Sequence, residues 1–263
     1  MQKQISVLVG LLVVAVISAN AAAAEWGNLS GQFVFDGDPP KPPAVKITKD
    51  QECCGKHNVI DESLLVNPDN KGIRNVIVFL LTDEDEEVPV HESYAASAKD
   101  EVMLDNDKCR FAPHVVLMRT SQTLKIGNSD PIGHNAKIDT FNNPPINITI
   151  PQGDFRTFEC ENDEKLPARV SCSIHPWMKA WVVIRSNPYM AVTDENGNFE
   201  IKNLPVGTHK FMFWQEKAGF VAEVNLGGEK TKWRRGTVEV KIAPGDNSMG
   251  VIKITPSLFD KRR

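Results

Sequence analysis

The chain has 263 residues, with 30 Lys and Arg against 34 Asp and Glu for a net charge of −4. That balance does not suggest a nucleic-acid partner. Lys3 is the only charged side chain before Glu25, an apolar run covers residues 5–17, and the small-residue stretch SANAAAA precedes Glu25 and Trp26. This is the pattern of a secretory signal peptide over residues 1–24, cleaved near Ala24. No later run is long enough for a transmembrane segment. The expectation is therefore a periplasmic or secreted mature chain, with 29 basic and 34 acidic residues and a net charge of −5.

In chain order, the mature sequence reads as short strands. GQFVFDG (31–37) alternates in polarity and ends in a turn, and NVIVFLL (75–81) is a continuous apolar run suited to a strand covered on both faces. Between them PPKPPAVK is an extended Pro-rich connection, and DEDEE (83–87) is an acidic surface loop. SYAASAKDE (93–101) has the Ala content of a short helix. Strand patterns then follow at VVLM (115–118), TLKIG (123–127), INITI (146–150), RTFEC (156–160), ARVSC (168–172) and AWVVI (180–184), separated by GNSDP, NNPP and PQGD turns. Such spacing predicts a β-sandwich. Beyond Pro188 a strand pair flanks Asn196-Gly197, and TVEVKI and GVIKIT close the chain. The oxygen-rich DENGN segment is no calcium loop, because Phe199 and Pro205 stand where such a loop needs Gly and Glu. EKTKWRR (229–235) reads as a solvated basic loop.

Export gives the five cysteines a context, since thiols in an oxidising compartment pair unless a metal holds them. Setting Cys172 aside leaves Cys53, Cys54, Cys109 and Cys160, with three possible pairings. A bond between adjacent Cys53 and Cys54 would be strained, so pairings that separate them are favoured. Structural disulfides are the first expectation, and a second metal site from Cys53, Cys54, His57 and Cys109 is the alternative.

The stretch VSCSIHPWM (170–178) carries the chemistry. It sets a thiol, an imidazole and a thioether at Cys172, His175 and Met178, with two residues in each gap, beyond a strand. A further imidazole, His134, follows TLKIG across a turn and precedes Cys172 by 38 positions. Two sandwich loops can meet at one pole, and His2Cys with a weak axial Met is the donor set of a redox-active copper. Asn135 is placed to bond across to the Cys loop and stiffen it. Each residue alone has an ordinary explanation, Met178 as core filling above all, but the joint arrangement favours copper.

NSDPIGHN, PQGDF and CSIHPWM resemble the pattern of the cupredoxins, the blue-copper family, over residues 105–186. The resemblance implies a Greek-key β-sandwich with His134, Cys172 and His175 as equatorial ligands and Met178 as the axial one. Many cupredoxins place the Met further from the second His. FAPHV, NSDPIGH, CSIHPWM and TDENG together are similar to secreted cupredoxin-like proteins of the methylamine-utilisation type. TDENG and GQFVFDG also resemble the carboxypeptidase regulatory-like, transthyretin-like sandwich. The division that follows is a signal peptide (1–24), an N-terminal β segment (25–82), a copper domain (105–186) and a C-terminal regulatory-like domain (187–256). The all-β expectation is thus a cupredoxin-like sandwich combined with a second small Ig/transthyretin-like one.

The implied activity is one-electron transfer to a small redox protein or a respiratory-chain donor or acceptor, by way of an exposed edge of His175 beside Pro176 and Trp177. A dinuclear centre would need another thiolate near Cys172, and Cys160 is twelve positions away. A copper enzyme of the nitrite reductase kind would need a second histidine site, whereas His57, His91, His114 and His209 are scattered. From a different class, the alternative is a cell-envelope structural, binding or copper-storage module.

Overall fold

The structure, a computed structural model, describes residues 25–83 and 86–260; the expected signal peptide lies outside the described residues. Nearly every element is a strand, and the strands form sandwiches around two large apolar clusters. The first sandwich faces a five-stranded sheet, in the order Ile146–Ile150, His134–Asp139, Ala168–Ser171, Lys179–Arg185, Val115–Arg119, against a four-stranded one containing Phe155–Glu159, Thr123–Asn128, Glu101–Asp107 and Arg110–Ala112. Leu104, Phe111, Leu124 and Ile126 from one sheet meet Met118, Ile138, Val170 and Val182 from the other.

The second apolar cluster draws on both ends of the chain, from Leu29, Phe33 and Val78 to Phe213, Ile252 and Ile254. Its first strand, Trp26–Phe35, lies parallel to the last, Gly245–Ile254. A third, smaller cluster of Ile77, Phe79, Val115, Val183, Met212 and Trp214 joins the two sandwiches.

That junction explains the continuous apolar runs in the sequence. In Ile77–Leu81, Val78 and Leu80 face the second sandwich's core while Ile77 and Phe79 face the junction. In Val115–Arg119, Val116 and Met118 point inward and Val115 points to the junction. Strands buried on both faces cannot afford polar alternation. The junction is built mainly from strands that are apolar on both faces, so the two sandwiches share them.

Several expectations change. Residues 93–101 form no α-helix: a 3-10 turn, Glu92–Tyr94, passes into the strand Glu101–Asp107, which pairs in parallel with Thr123–Asn128. Tertiary pairing overrides the local Ala content. Part of the basic loop is the edge strand Glu229–Lys232, paired with Glu223–Leu226. Of the four remaining cysteines only Cys54 and Cys109 are bonded. Cys160 is instead packed in the first sandwich's core, where burial, then Glu164, pushes its thiol up to about 11.

The Pro-rich connection opens into an arm that the sequence does not announce. Residues 43–45 run back against 59–61, joined by Val45 N–H to Val59 O at 2.9 Å and Asp61 N–H to Pro43 O at 2.9 Å. The arm's tip is one helical turn, Gln51–Cys54, entered through Asp50 in a left-handed conformation at φ 46°. Asp is one of the few non-glycine residues that adopts it readily. The disulfide to Cys109 anchors this tip over the pole of the first sandwich.

Candidate metal centre

Four sequence positions were expected to converge, and the structure gathers the donor atoms of His134, Cys172 and His175. His134 opens the strand His134–Asp139, and Cys172 and His175 lie in the loop after Ala168–Ser171. One donor atom from each lies within 4.8 Å of the others. The two Nδ1 atoms are 2.9 Å apart, and Cys172 Sγ is 3.8 Å from His175 Nδ1. Both imidazoles are fully buried.

A carboxylate decides the tautomer of each ring. Asp130 Oδ2 lies 2.8 Å from His134 Nε2, and Asp50 Oδ2 lies 2.7 Å from His175 Nε2. An ionised carboxylate only accepts, so each Nε2 carries the proton and each Nδ1 presents a lone pair. Two lone pairs 2.9 Å apart beside a sulfur repel unless a cation lies between them. Without a metal that cation is a proton. Burial opposes charge on His134, but Asp130 and the Cys172 sulfur outweigh it and push the imidazole up to about 9. His175 is held below its ordinary value by burial and by the neighbouring His134 cation, against the pull of Asp50.

The surroundings of Cys172 favour its thiolate form. Burial raises its pKa, but His134 and the N–H groups of Asn135, His175 and Ile174 outweigh burial and leave it lowered. Asn135 N–H and His175 N–H approach the sulfur at 3.4 Å each. The Asn135 side chain ties the two loops together: its Oδ1 accepts from Ser173 N–H at 3.1 Å, and its Nδ2 donates to Ile148 O at 2.8 Å. The donor set, one thiolate and two neutral imidazole nitrogens with prepared tautomers, fits a thiophilic transition ion.

Met178 is buried in the first sandwich's core, and its backbone closes the loop by accepting from Cys172 N–H at 3.3 Å and donating to His175 O at 2.9 Å. Trp177 packs 5.2 Å from the His175 ring and donates from Nε1 to Cys109 O at 3.0 Å.

His175 does not present an exposed edge. The tip of the arm covers it, with Asp50 on the nitrogen that would otherwise face solvent. Sequence reasoning missed both carboxylates. Asp130 had a usable signal, being four residues before His134 in the same turn. Asp50 had none locally, because it reaches the site across 125 positions.

The other histidines do not gather. His91 packs on Trp26, His209 bonds to Pro205 O at 2.7 Å, and His114 sits between Glu216 at 2.7 Å and Glu62 at 3.6 Å, the latter an ion-pair separation. His57 is not among the atoms gathered near Cys53, Cys54 and Cys109, so the four-ligand alternative with His57 is not formed.

No family model matches the chain, and no curated protein is similar to it in sequence. Among solved structures it is similar to a purple cupredoxin from Nitrosopumilus maritimus, with a TM-score of 0.27 and 20% identity over 33% of this chain and 99% of that one. It is similar to amicyanin from Paracoccus versutus, with a TM-score of 0.29 and 13% identity over 41% of this chain and 97% of that one. A Cu-containing nitrite reductase from Thermus scotoductus SA-01 gives a TM-score of 0.29 and 17% identity over 40% of this chain and 25% of that one.

Proposed function

We propose that the chain is an exported mononuclear copper protein that carries one electron at a time. His134 Nδ1, His175 Nδ1 and Cys172 Sγ would hold the copper, with Met178 as a further, weaker donor. The observation that carries this reading is the pair of Nδ1 lone pairs held 2.9 Å apart beside a thiolate. Two borderline nitrogens and one soft sulfur select copper over the harder cations. Bound there, copper supplies a one-electron change between Cu(I) and Cu(II) within a fixed donor set.

The residues around it have separate tasks. Asp130 and Asp50 hold the rings in the ligating tautomer, Asn135 locks the loops, and the apolar core beneath Cys172 and Met178 keeps water out. On this reading residues 105–186 are the copper unit, and 25–82 with 187–256 form the carboxypeptidase regulatory-like flank. The partner is a small redox protein or a respiratory-chain donor or acceptor. Electrons pass by way of the arm's tip or Trp177, because the His175 edge is covered.

The test is visible spectroscopy of the copper-loaded chain. An intense thiolate-to-Cu(II) charge-transfer band that a reductant bleaches reversibly is the expected result. Retention of both copper and that band in Cys172→Ser would sink the assignment. A stable band with no electron exchange towards any small redox carrier would leave storage as the function.

A further inference from the structure

Cys53, Cys54 and Cys109 place their sulfurs within 4.8 Å of one another, apart from the centre already described. Cys54 and Cys109 are fully buried and bonded to each other, while Cys53 is free and partly exposed. We propose that, once a dithiol has reduced the Cys54–Cys109 bond, these three cysteines form a second metal site, a three-thiolate site for Cu(I).

The disulfide is not what holds the three residues together. Cys109 stands in a left-handed turn with Lys108, at φ 56° and 54°. Asp130 clamps this turn, accepting from Lys108 N–H at 2.7 Å and Cys109 N–H at 2.8 Å, while Trp177 donates to Cys109 O at 3.0 Å. On the other side, Cys53 N–H and Cys54 N–H both return to Asp50 O, at 3.0 and 2.7 Å, and the Asp50 side chain is docked on His175. Each half keeps its place by bonds that reduction leaves intact, so the three thiols remain face to face.

The chemistry of the donors chooses the ion. Thiolates select Cu(I), whereas structural zinc takes four ligands and His57 does not supply the fourth. Cys53 is the sulfur that reaches solvent and is the point of entry. The steps balance: the external dithiol becomes a disulfide as Cys54 and Cys109 become thiols, and Cu(I) then displaces up to three protons from the three thiols. Disulfide and metal are mutually exclusive occupants of the same sulfurs. Asp130 lies between this site and His134, and one donor atom each of Cys109, Asp130 and His134 lie within 4.8 Å of one another, so copper held here stands beside the first centre.

The experiment counts tightly held Cu(I) on the full chain, anaerobically, against a chromophoric Cu(I) chelator, before and after reduction of the disulfide. Cys160 and Cys172 are free in both states, so their contribution cancels. One additional Cu(I) per chain after reduction is expected, whether or not the first site loads. Cys53→Ser, which leaves the disulfide and both clamps in place, is expected to weaken that additional ion by tenfold or more. An equal count in the two states overturns the proposal. So does an additional ion whose affinity Cys53→Ser leaves unchanged.

Discussion

His134 and His175 are fixed by the same chemistry, a carboxylate on Nε2, yet the two carboxylates are supplied in opposite ways. Asp130 is buried, lies four residues from its histidine, and is itself pinned by two backbone N–H groups. Asp50 is 44% exposed, comes from an arm outside the sandwich, and reaches across 125 positions. One ring is oriented by its own turn, and the other by an arm that is disulfide-bonded to the sandwich at Cys109. Local support orients one ring, and remote support orients and covers the other.

Breaking the buried side of this comparison should cost most. Asp130→Ala leaves Lys108 N–H, Cys109 N–H and His134 Nε2–H without their acceptor, and unfolding by denaturant should show a loss of about 3 kcal/mol or more. Copper affinity should fall about 10- to 100-fold, as for other lost supports of ligating histidines.

His114 sharpens the contrast from outside the site. Glu216 accepts from one of its nitrogens at 2.7 Å and Glu62 stands 3.6 Å from the other, which favours a protonated ring over a ligating one. Burial opposes its charge, but Glu216 and Glu62 push it up to about 9. Because the folded value lies above the unfolded one of about 6.5, the stabilisation is complete below that pH and is lost as pH rises through about 9. Up to about 3 kcal/mol should disappear across this window. His114→Gln should remove that part of the slope in stability measured between pH 7 and 10.

Asn135→Ala cuts the tie between the two loops and should cost about 1 to 2 kcal/mol, with a broadened visible band in the copper form. The smallest effect belongs to Asp50→Gly, chosen because glycine keeps the left-handed backbone. Thermal midpoints should report about 1 kcal/mol, because Asp50 is partly exposed while the buried His175 Nε2–H loses its acceptor. Electron self-exchange, measured by NMR line broadening, should become faster as the His175 edge opens. A slower exchange would mean that Asp50 is part of the route.

How far the sequence spoke follows the same division. Patterns carried by neighbours along the chain were legible: INITI is a strand to the residue, and His134, Cys172 and His175 meet as their spacing suggested. The two-faced run NVIVFLL was legible as well, because burial on both sides leaves a mark on every residue. What failed depended on distant pairing. The Ala-rich segment near 95 forms short turns that lead into the strand paired from Glu101, and nothing near Asp50 pointed to a histidine. Asp130 was within reach, since its spacing to His134 was in plain view.

The parallel pairing of Trp26–Phe35 with Gly245–Ile254 sets the order of events at birth. The described chain's first strand pairs antiparallel with Asn198–Pro205 and gains its parallel neighbour only when nearly all of the described chain has been delivered, and such non-local closure is slow. The segment between can meanwhile assemble its own strands from nearer partners. The pole that carries His134, Cys172 and His175 is therefore framed early, and the flank shuts behind it like a clasp fastened last.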